Sequence, residues 1–276
     1  MPPPENRSRV NSIPEAVSRI IEEGSIAAIA TLIEGRANVG AKLLVQELAS
    51  AAATGSLGDK ALDQAVVQHA IKFIDSKEET RVFQVKEFAP ALGEWSEAQI
   101  LFERIQPTAR LVICGAGHVG AALARLASLV GYRATLIDDR AEFVRRDHFP
   151  DDRIELVAAE NWFEAVHTAV GDGHGVSVAV VTRGHSEDEQ CMRAIVNTEA
   201  DYIGLIGSKR RTNIVLKRLR ENGADEQQLE KVRAPVGLDI GAVTPEEVAL
   251  AIMAEIIAVR RGGEGGSLST WRRNEK

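Results

Sequence analysis

Three glycines within six residues, Gly115, Gly117 and Gly120, stand between a short apolar run at 111–114 and a stretch of helical periodicity at 118–130. Strand, glycine-rich turn and helix in that order form the first unit of a nucleotide-binding sheet; the spacing alone is weak evidence, and it is the strand before, the helix after and the acidic residue ending the next strand that give it weight. The first glycine permits the tight turn, the second lets backbone approach a phosphate, and the third lets the helix pack closely on the strand. N–H groups without intrahelical partners and the positive end of the helix dipole then favour an anion. Asp138 ends the next apolar run, where a carboxylate can accept hydrogen bonds from a ribose diol and disfavours a 2′-phosphate.

From residue 110 onward the pattern is regular. Apolar runs at 111–114, 134–137, 154–157, 176–181 and 202–206 alternate with amphipathic stretches at 118–130, 140–147, 162–170, 188–197 and 212–221. Near-continuous apolar strands alternating with helices predict an α/β fold whose parallel sheet is covered on both faces. A last helix over 246–260 opens with Thr244, Pro245 and Glu247, which has the form of a capping box with proline at the first helical position. This Rossmann-like C-terminal domain is expected over 106–263. Before it, helical spacing at 13–23 and 61–74, apolar runs at 26–33 and 42–48, a glycine turn at 55–58 and an alternating stretch at 81–88 predict a smaller α+β domain over 13–105. Residues 1–12 read as a disordered polar tail and 264–276 as a second tail.

The charge balance narrows the partners. Lys and Arg number 33 against 40 Asp and Glu, a net charge of −7, so neither nucleic acid nor an anionic membrane surface is expected. Cys114 and Cys191 are the two cysteines, with no C-x-x-C pair, which leaves no disulfide framework and no thiolate zinc site. No metal-ligand set stands out. No apolar run approaches the roughly 20 residues that span a bilayer, and the N-terminus lacks the apolar core of a secretory leader. A cytoplasmic location is therefore expected.

Ligands of open α/β sheets bind beyond the carboxyl ends of the strands. His118 follows the first strand, and Asp138, Asp139 and Arg140 the second. Arg183 and His185 leave a later strand, and Ser208, Lys209, Arg210 and Arg211 the next. These loops are expected to converge on one crevice. Cations at a helix start oppose its dipole, so the cluster from Lys209 to Arg211 suggests a second anion contact. His118 and His185 can face each other across two strand ends, placed to bond a phosphate, move a proton or ligate a metal. His148, His167 and His174 have no comparable context, and Asp239 is either structural or turned to the ligand. No Ser/His/Asp order, nucleophile elbow or H-E-x-x-H is present, so binding is more visible than catalysis and no catalytic residue is assigned.

Five segments then carry a resemblance: LVICGAGHVG (111–120), LIDDRAEF (136–143) followed by HFPDD (148–152), VVTRGHSEDE (180–189), YIGLIGSKRR (202–211) and PVGLDIGAVTPEEVALAIMAEI (235–256). In order and spacing they resemble the XdhC/CoxI family of xanthine dehydrogenase accessory proteins. GAKLLV (40–45) and GSLG (55–58) are fainter likenesses to that family's N-terminal part. The resemblance implies a non-enzymatic chaperone. Such a protein binds the molybdenum cofactor (molybdopterin, as such or as a dinucleotide), holds it while a cysteine desulfurase supplies sulfur, and passes it to a xanthine-dehydrogenase-type apoenzyme. It implies that Gly115, Gly117 and Gly120 hold the phosphate and that His118, Asp138, Arg183, His185, Ser208 and Lys209 line the crevice. A homodimer is possible. The family's GGGCLE is replaced here by LGDKAL (57–62), and its S-x-P-R by EGRANV (34–39). If the replaced residues hold cofactor or sulfur, that step is lost here, and the chain is either a divergent member that binds something related or one half of a pair. Two other functions fit the same residues: an NAD-dependent oxidoreductase, which the glycine turn and Asp138 favour, and a nucleotide-sensing regulatory module.

Overall fold

The computed structural model describes residues 12–22, 24–46 and 53–269. The ends of the two predicted tails, 1–11 and 270–276, and residues 47–48 of the second predicted strand lie outside them. The chain divides into two compact units, 1–107 and 108–276.

The first unit is an antiparallel sheet with a helix on each face. Its elements are α1 (Ile13–Glu22), β1 (Ala27–Glu34), β2 (Lys42–Gln46), β3 (Ala53–Gly55), α2 (Lys60–Asp75), β4 (Thr80–Gln84), α3 (Val85–Phe88) and β5 (Gln99–Ile105), and the strands lie in the order β3-β2-β1-β5-β4. Alternation along β1 divides the burial. Ala28, Ala30 and Leu32 join Leu62, Val66 and Phe73 of α2 in one core, while Ala27 packs with Ala16 and Ile20 of α1 in another. The single strand expected over 81–88 stops at Gln84, and its last four residues form one helical turn, α3. Val82, Val85 and Phe88 recur every third residue, which is a helical spacing rather than the two-residue period of a strand. Gln84 N–H donates to Glu87 Oε1 at 2.7 Å and closes the start of that turn.

The second unit runs β6 (Arg110–Cys114), α4 (His118–Leu129), β7 (Arg133–Asp138), β8 (Ile154–Ala158), α5 (Trp162–Val170), β9 (Val176–Val180), α6 (His185–Ile195), β10 (Tyr202–Leu205), α7 (Lys209–Glu221), α8 (Glu226–Lys231) and α9 (Pro245–Arg261). The strands pair in parallel in the order β10-β9-β6-β7-β8. This is the predicted Rossmann-type sheet, with the chain reversing direction between β6 and β9. Both faces are covered. Leu111 and Ile113 of β6 meet Leu123 of α4 and Ile252 of α9, while Val112 and Cys114 meet Trp162, Met192 and Val215 of α5, α6 and α7.

Three expectations change. The helix predicted over 140–147 is a single 3-10 turn, Ala141–Phe143, in an otherwise irregular β7–β8 connection. Arg146 fixes that connection by donating from Nη1 to the carbonyls of Phe149, Asp151 and Ile154 at 3.0–3.1 Å. The helices expected to begin at residues 188 and 212 begin three residues earlier, at His185 and Lys209, behind Gly184 and Ser208 as N-caps. That moves both predicted site residues into first turns. The short helix α8, capped by Asp225, was not expected.

A Cβ on Gly120 would collide with the Gly115 carbonyl oxygen and press Val181 Cγ2 at 3.3 Å, whereas one on Gly117 meets nothing within 4 Å. Gly120→Ala is therefore expected to cost about 1–3 kcal/mol in urea unfolding, as overpacking does, and Gly117→Ala to stay within about 0.5 kcal/mol of wild type. Equal stabilities for the two variants would contradict this packing.

Candidate functional site

The turn leaving β6 lies where the sheet order reverses. Gly115 has φ of +114°, a conformation that favours glycine, and a Cβ there would sit 2.7 Å from the Val181 carbonyl oxygen. The loops after β6 and β9 thus run backbone against backbone. Gly117 is the N-cap of α4, with no side-chain cap hydrogen bond and no acidic residue in the helix's first turn. Every other α-helix among the described residues has a capping side chain, a first-turn acid or both. The first N–H groups of α4 therefore have no intrahelical acceptor, and the helix supplies neither a capping side chain nor a first-turn acid to them.

Asp138 has a different role from the one expected. It is buried, and its two oxygens receive four internal donors: Ala116 N–H at 2.7 Å, Arg140 N–H at 3.0 Å, and Arg140 Nε and Nη2 at 2.8 and 2.9 Å. Burial pushes the carboxyl pKa up, but the Arg140 guanidinium and the two backbone amides outweigh it and hold the group below the usual aspartate value. With four bonds on two oxygens, its acceptor capacity is used within the protein. Asp138 braces the glycine turn from below instead of offering itself to a ribose. Arg140 is also fixed from its other side, its guanidinium carbon lying 3.7 Å from the ring centre of Phe143.

The remaining loops are tied together by ion pairs. Arg183 makes a two-pronged contact with Asp139, Nη1 to Oδ1 at 3.0 Å and Nη2 to Oδ2 at 2.8 Å. Asp188, fully buried in α6, accepts from Thr182 Oγ1 at 2.6 Å and Arg211 Nε at 2.9 Å, and Arg211 Nη2 also reaches the Thr182 carbonyl at 3.3 Å. Burial raises the Asp188 pKa while Thr182 and Arg211 pull it back. Arg211, expected as part of a basic anion contact, is therefore committed to the protein's own carboxylate. Ser208 Oγ accepts from Arg211 N–H at 3.3 Å and caps α7, and Lys209 and Arg210 are exposed. His118 and His185 are exposed at the first positions of α4 and α6.

A cavity of about 980 Å³ opens beside the glycine turn, between α4, the β7–β8 connection and the start of α9. Its walls include Gly117, His118, Ala121, Ala122 and Leu126, together with Phe143 and Phe149 of the β7–β8 connection. Arg125, Arg145 and His148 supply positive or titratable groups, and Glu142, Glu246 and Glu247 supply acids. Asp138, Arg183, His185, Ser208 and Lys209 do not line it. The single expected crevice is thus a cavity on the α4 side of the turn, adjoined by a linked polar edge that runs across β7, β9 and β10. His148, which the sequence left without a role, lies in the cavity wall. Its one signal in the sequence is its place in the HFPDD segment. Among the described residues no group of three or more His, Cys, Asp or Glu side chains is arranged to hold a metal ion, and no helix is long and apolar enough to cross a membrane.

Residues 111–256 match the family model of the XdhC Rossmann domain. Over 258 residues the chain is 27% identical to the uncharacterized protein YqeB of Escherichia coli K12, covering 90% of this chain and 46% of that protein. It is 29% identical over 163 residues to a probable xanthine dehydrogenase subunit of Bacillus subtilis, covering 59% of this chain and 46% of that one. It is 26% identical over 157 residues to the molybdenum cofactor insertion chaperone PaoD of Escherichia coli K12, covering 56% and 41%. The chain spans about half the length, or less, of these curated relatives. A crystal structure of a xanthine dehydrogenase from Bacillus halodurans shares the fold, with a TM-score of 0.50 at 19% identity over 93% of this chain and 98% of that one. The family match covers more than half of the sequence and includes the glycine turn, the β7–β8 connection and the start of α9, and the chain belongs to the XdhC family.

Proposed function

We propose that this chain binds the molybdenum cofactor, seats its phosphate at the start of α4, and assists its sulfuration and its insertion into a xanthine-dehydrogenase-type apoenzyme. The observation that carries this reading is the uncapped, acid-free start of α4 opening onto a cavity of about 980 Å³. The groups present suit such a cargo. A phosphate takes backbone N–H donors and a helix dipole, with Arg125 in the same cavity; Arg145, also in its wall, makes a two-pronged contact with Asp147. A flat pterin takes aromatic and aliphatic walls, which Phe143, Phe149 and Leu126 supply. Two relatives named for xanthine dehydrogenase and for molybdenum cofactor insertion point the same way.

On this reading the protein acts by holding, orienting and shielding. The redox chemistry belongs to the cofactor once it is installed in the recipient enzyme. Sulfur comes from a separate cysteine desulfurase, because both cysteines of this chain, Cys114 and Cys191, are buried. Burial and the neighbouring Cys114 raise the Cys191 thiol well above its usual pKa, which disfavours a nucleophilic thiolate there. Where the family carries GGGCLE, this chain has Asp59 capping α2 through the N–H groups of Ala61 and Leu62, both at 2.9 Å, and no thiol. The cofactor form, a homodimer and a cytoplasmic location are parts of the same proposal. The NAD-dependent alternative is disfavoured, since Asp138 has no acceptor capacity left for a ribose.

Gly117→Trp fills the approach to the start of α4. Chain purified from molybdenum-replete cells is expected to lose at least about tenfold of its bound molybdenum on that change, read by elemental analysis, with its melting temperature nearly unchanged. Full retention of the metal would move the site elsewhere. In a fluorescence titration, NADH is expected to give no saturable signal up to millimolar concentration; a saturable signal would restore the oxidoreductase reading.

A further inference from the structure

The order β9-β6-β7 puts the end of β6, and the glycine turn that leaves it, between the ends of β9 and β7. Arg183 comes from the loop after β9, and Asp139 follows β7 directly, yet the two side chains meet in the two-pronged contact described above. The pair therefore spans the carboxyl end of β6. Its partners have little else holding them there. Asp139 lies 4.0 Å from Arg140 Nε, but that guanidinium is already engaged by Asp138. Arg183 has Glu187 at 3.7 Å as its second neighbour. The side chains are 48% and 30% exposed, so this is a weak, exchangeable pair. A guanidinium fork binds two oxygens of a phosphate as readily as two oxygens of a carboxylate.

We propose that Asp139 is a stand-in ligand for Arg183, and that a phosphomonoester entering the site displaces it. The guanidinium releases the carboxylate and takes the phosphate, and Asp139 turns to solvent. Asp139 then determines specificity. A dianionic phosphate competes well against one carboxylate for the fork, while a neutral ligand leaves the pair closed across β6. The inference rests on the glycine turn being the phosphate seat.

The test uses the full chain with inorganic phosphate as probe, and dissociation constants from phosphorus NMR or calorimetry. Asp139→Asn is expected to tighten phosphate about three- to fivefold, the scale of an exposed ion pair, and Arg183→Gln to weaken it. In the Arg183→Gln background, Asp139→Asn is expected to change affinity no more than the charge control Glu142→Gln does, as a double-mutant cycle requires for a direct coupling. Unchanged or weaker binding by Asp139→Asn overturns the proposal, as does a tightening that survives the loss of Arg183. Gly117→Trp separates the two claims. If it abolishes phosphate binding while Asp139→Asn has no effect, the seat stands and the exchange falls. If wild type binds no phosphate, or Gly117→Trp binds as wild type does, the seat itself is wrong and the exchange falls with it.

Discussion

The buried carboxylate of Asp138 fixes the geometry on which the site depends. Through Ala116 N–H it holds the middle of the glycine turn, and through Arg140 it anchors the start of the β7–β8 connection. A buried carboxylate without partners would be strongly destabilising; with four donors it is a rigid joint between two loops. The same saturation removes it from ligand chemistry. An acidic residue at the end of the second strand is placed to bind a ribose, and in this chain that position has become a structural brace.

The turn above the brace is held from the side as well. Gly115 lets the loops after β6 and β9 touch through backbone, and Val181 N–H donates to the Cys114 carbonyl at 2.8 Å, extending the β6–β9 pairing past the strand ends. Turn and flanking loop are thus bonded to the sheet and to each other through backbone, with Gly115 N–H also donating to the Ile137 carbonyl at 2.7 Å. A group from outside the helix has to supply the cap that its own side chains do not. Rigid backbone donors of this kind bind an anion with little reorganisation.

Much of the second unit was legible in the sequence because a parallel sheet covered on both faces writes uninterrupted apolar runs. Val176–Val180 is buried at every position. The failures have physical causes. Residues 140–147 carry a helix-like pattern, but Arg140 and Arg146 spend their guanidinium groups on Asp138 and on carbonyls, and the connection takes its shape from those bonds. In the first unit β5, an interior strand of its sheet, went unread because Arg104 stands where the apolar alternation of Ile100 and Phe102 would continue. At the site, the glycines were legible because their role is local. The tasks of Asp138, Arg183 and Arg211 were not, since which acid each arginine meets is decided by strand order. Five residues expected in one crevice with Gly117 and His118 do not line the cavity for the same reason.

The β7–β8 connection has a further meaning. A parallel pair is ordinarily joined through a crossover helix, and a right-handed crossing from β7 to β8 would lay that helix beside α4, on the same face of the sheet. This chain crosses with a single 3-10 turn, and Phe143 and Phe149 of that connection line the hollow next to α4. The chamber is in effect the volume of an omitted helix. What fits the chamber is then set by how much chain is inserted between β7 and β8, a segment that can lengthen or shorten without touching the glycines.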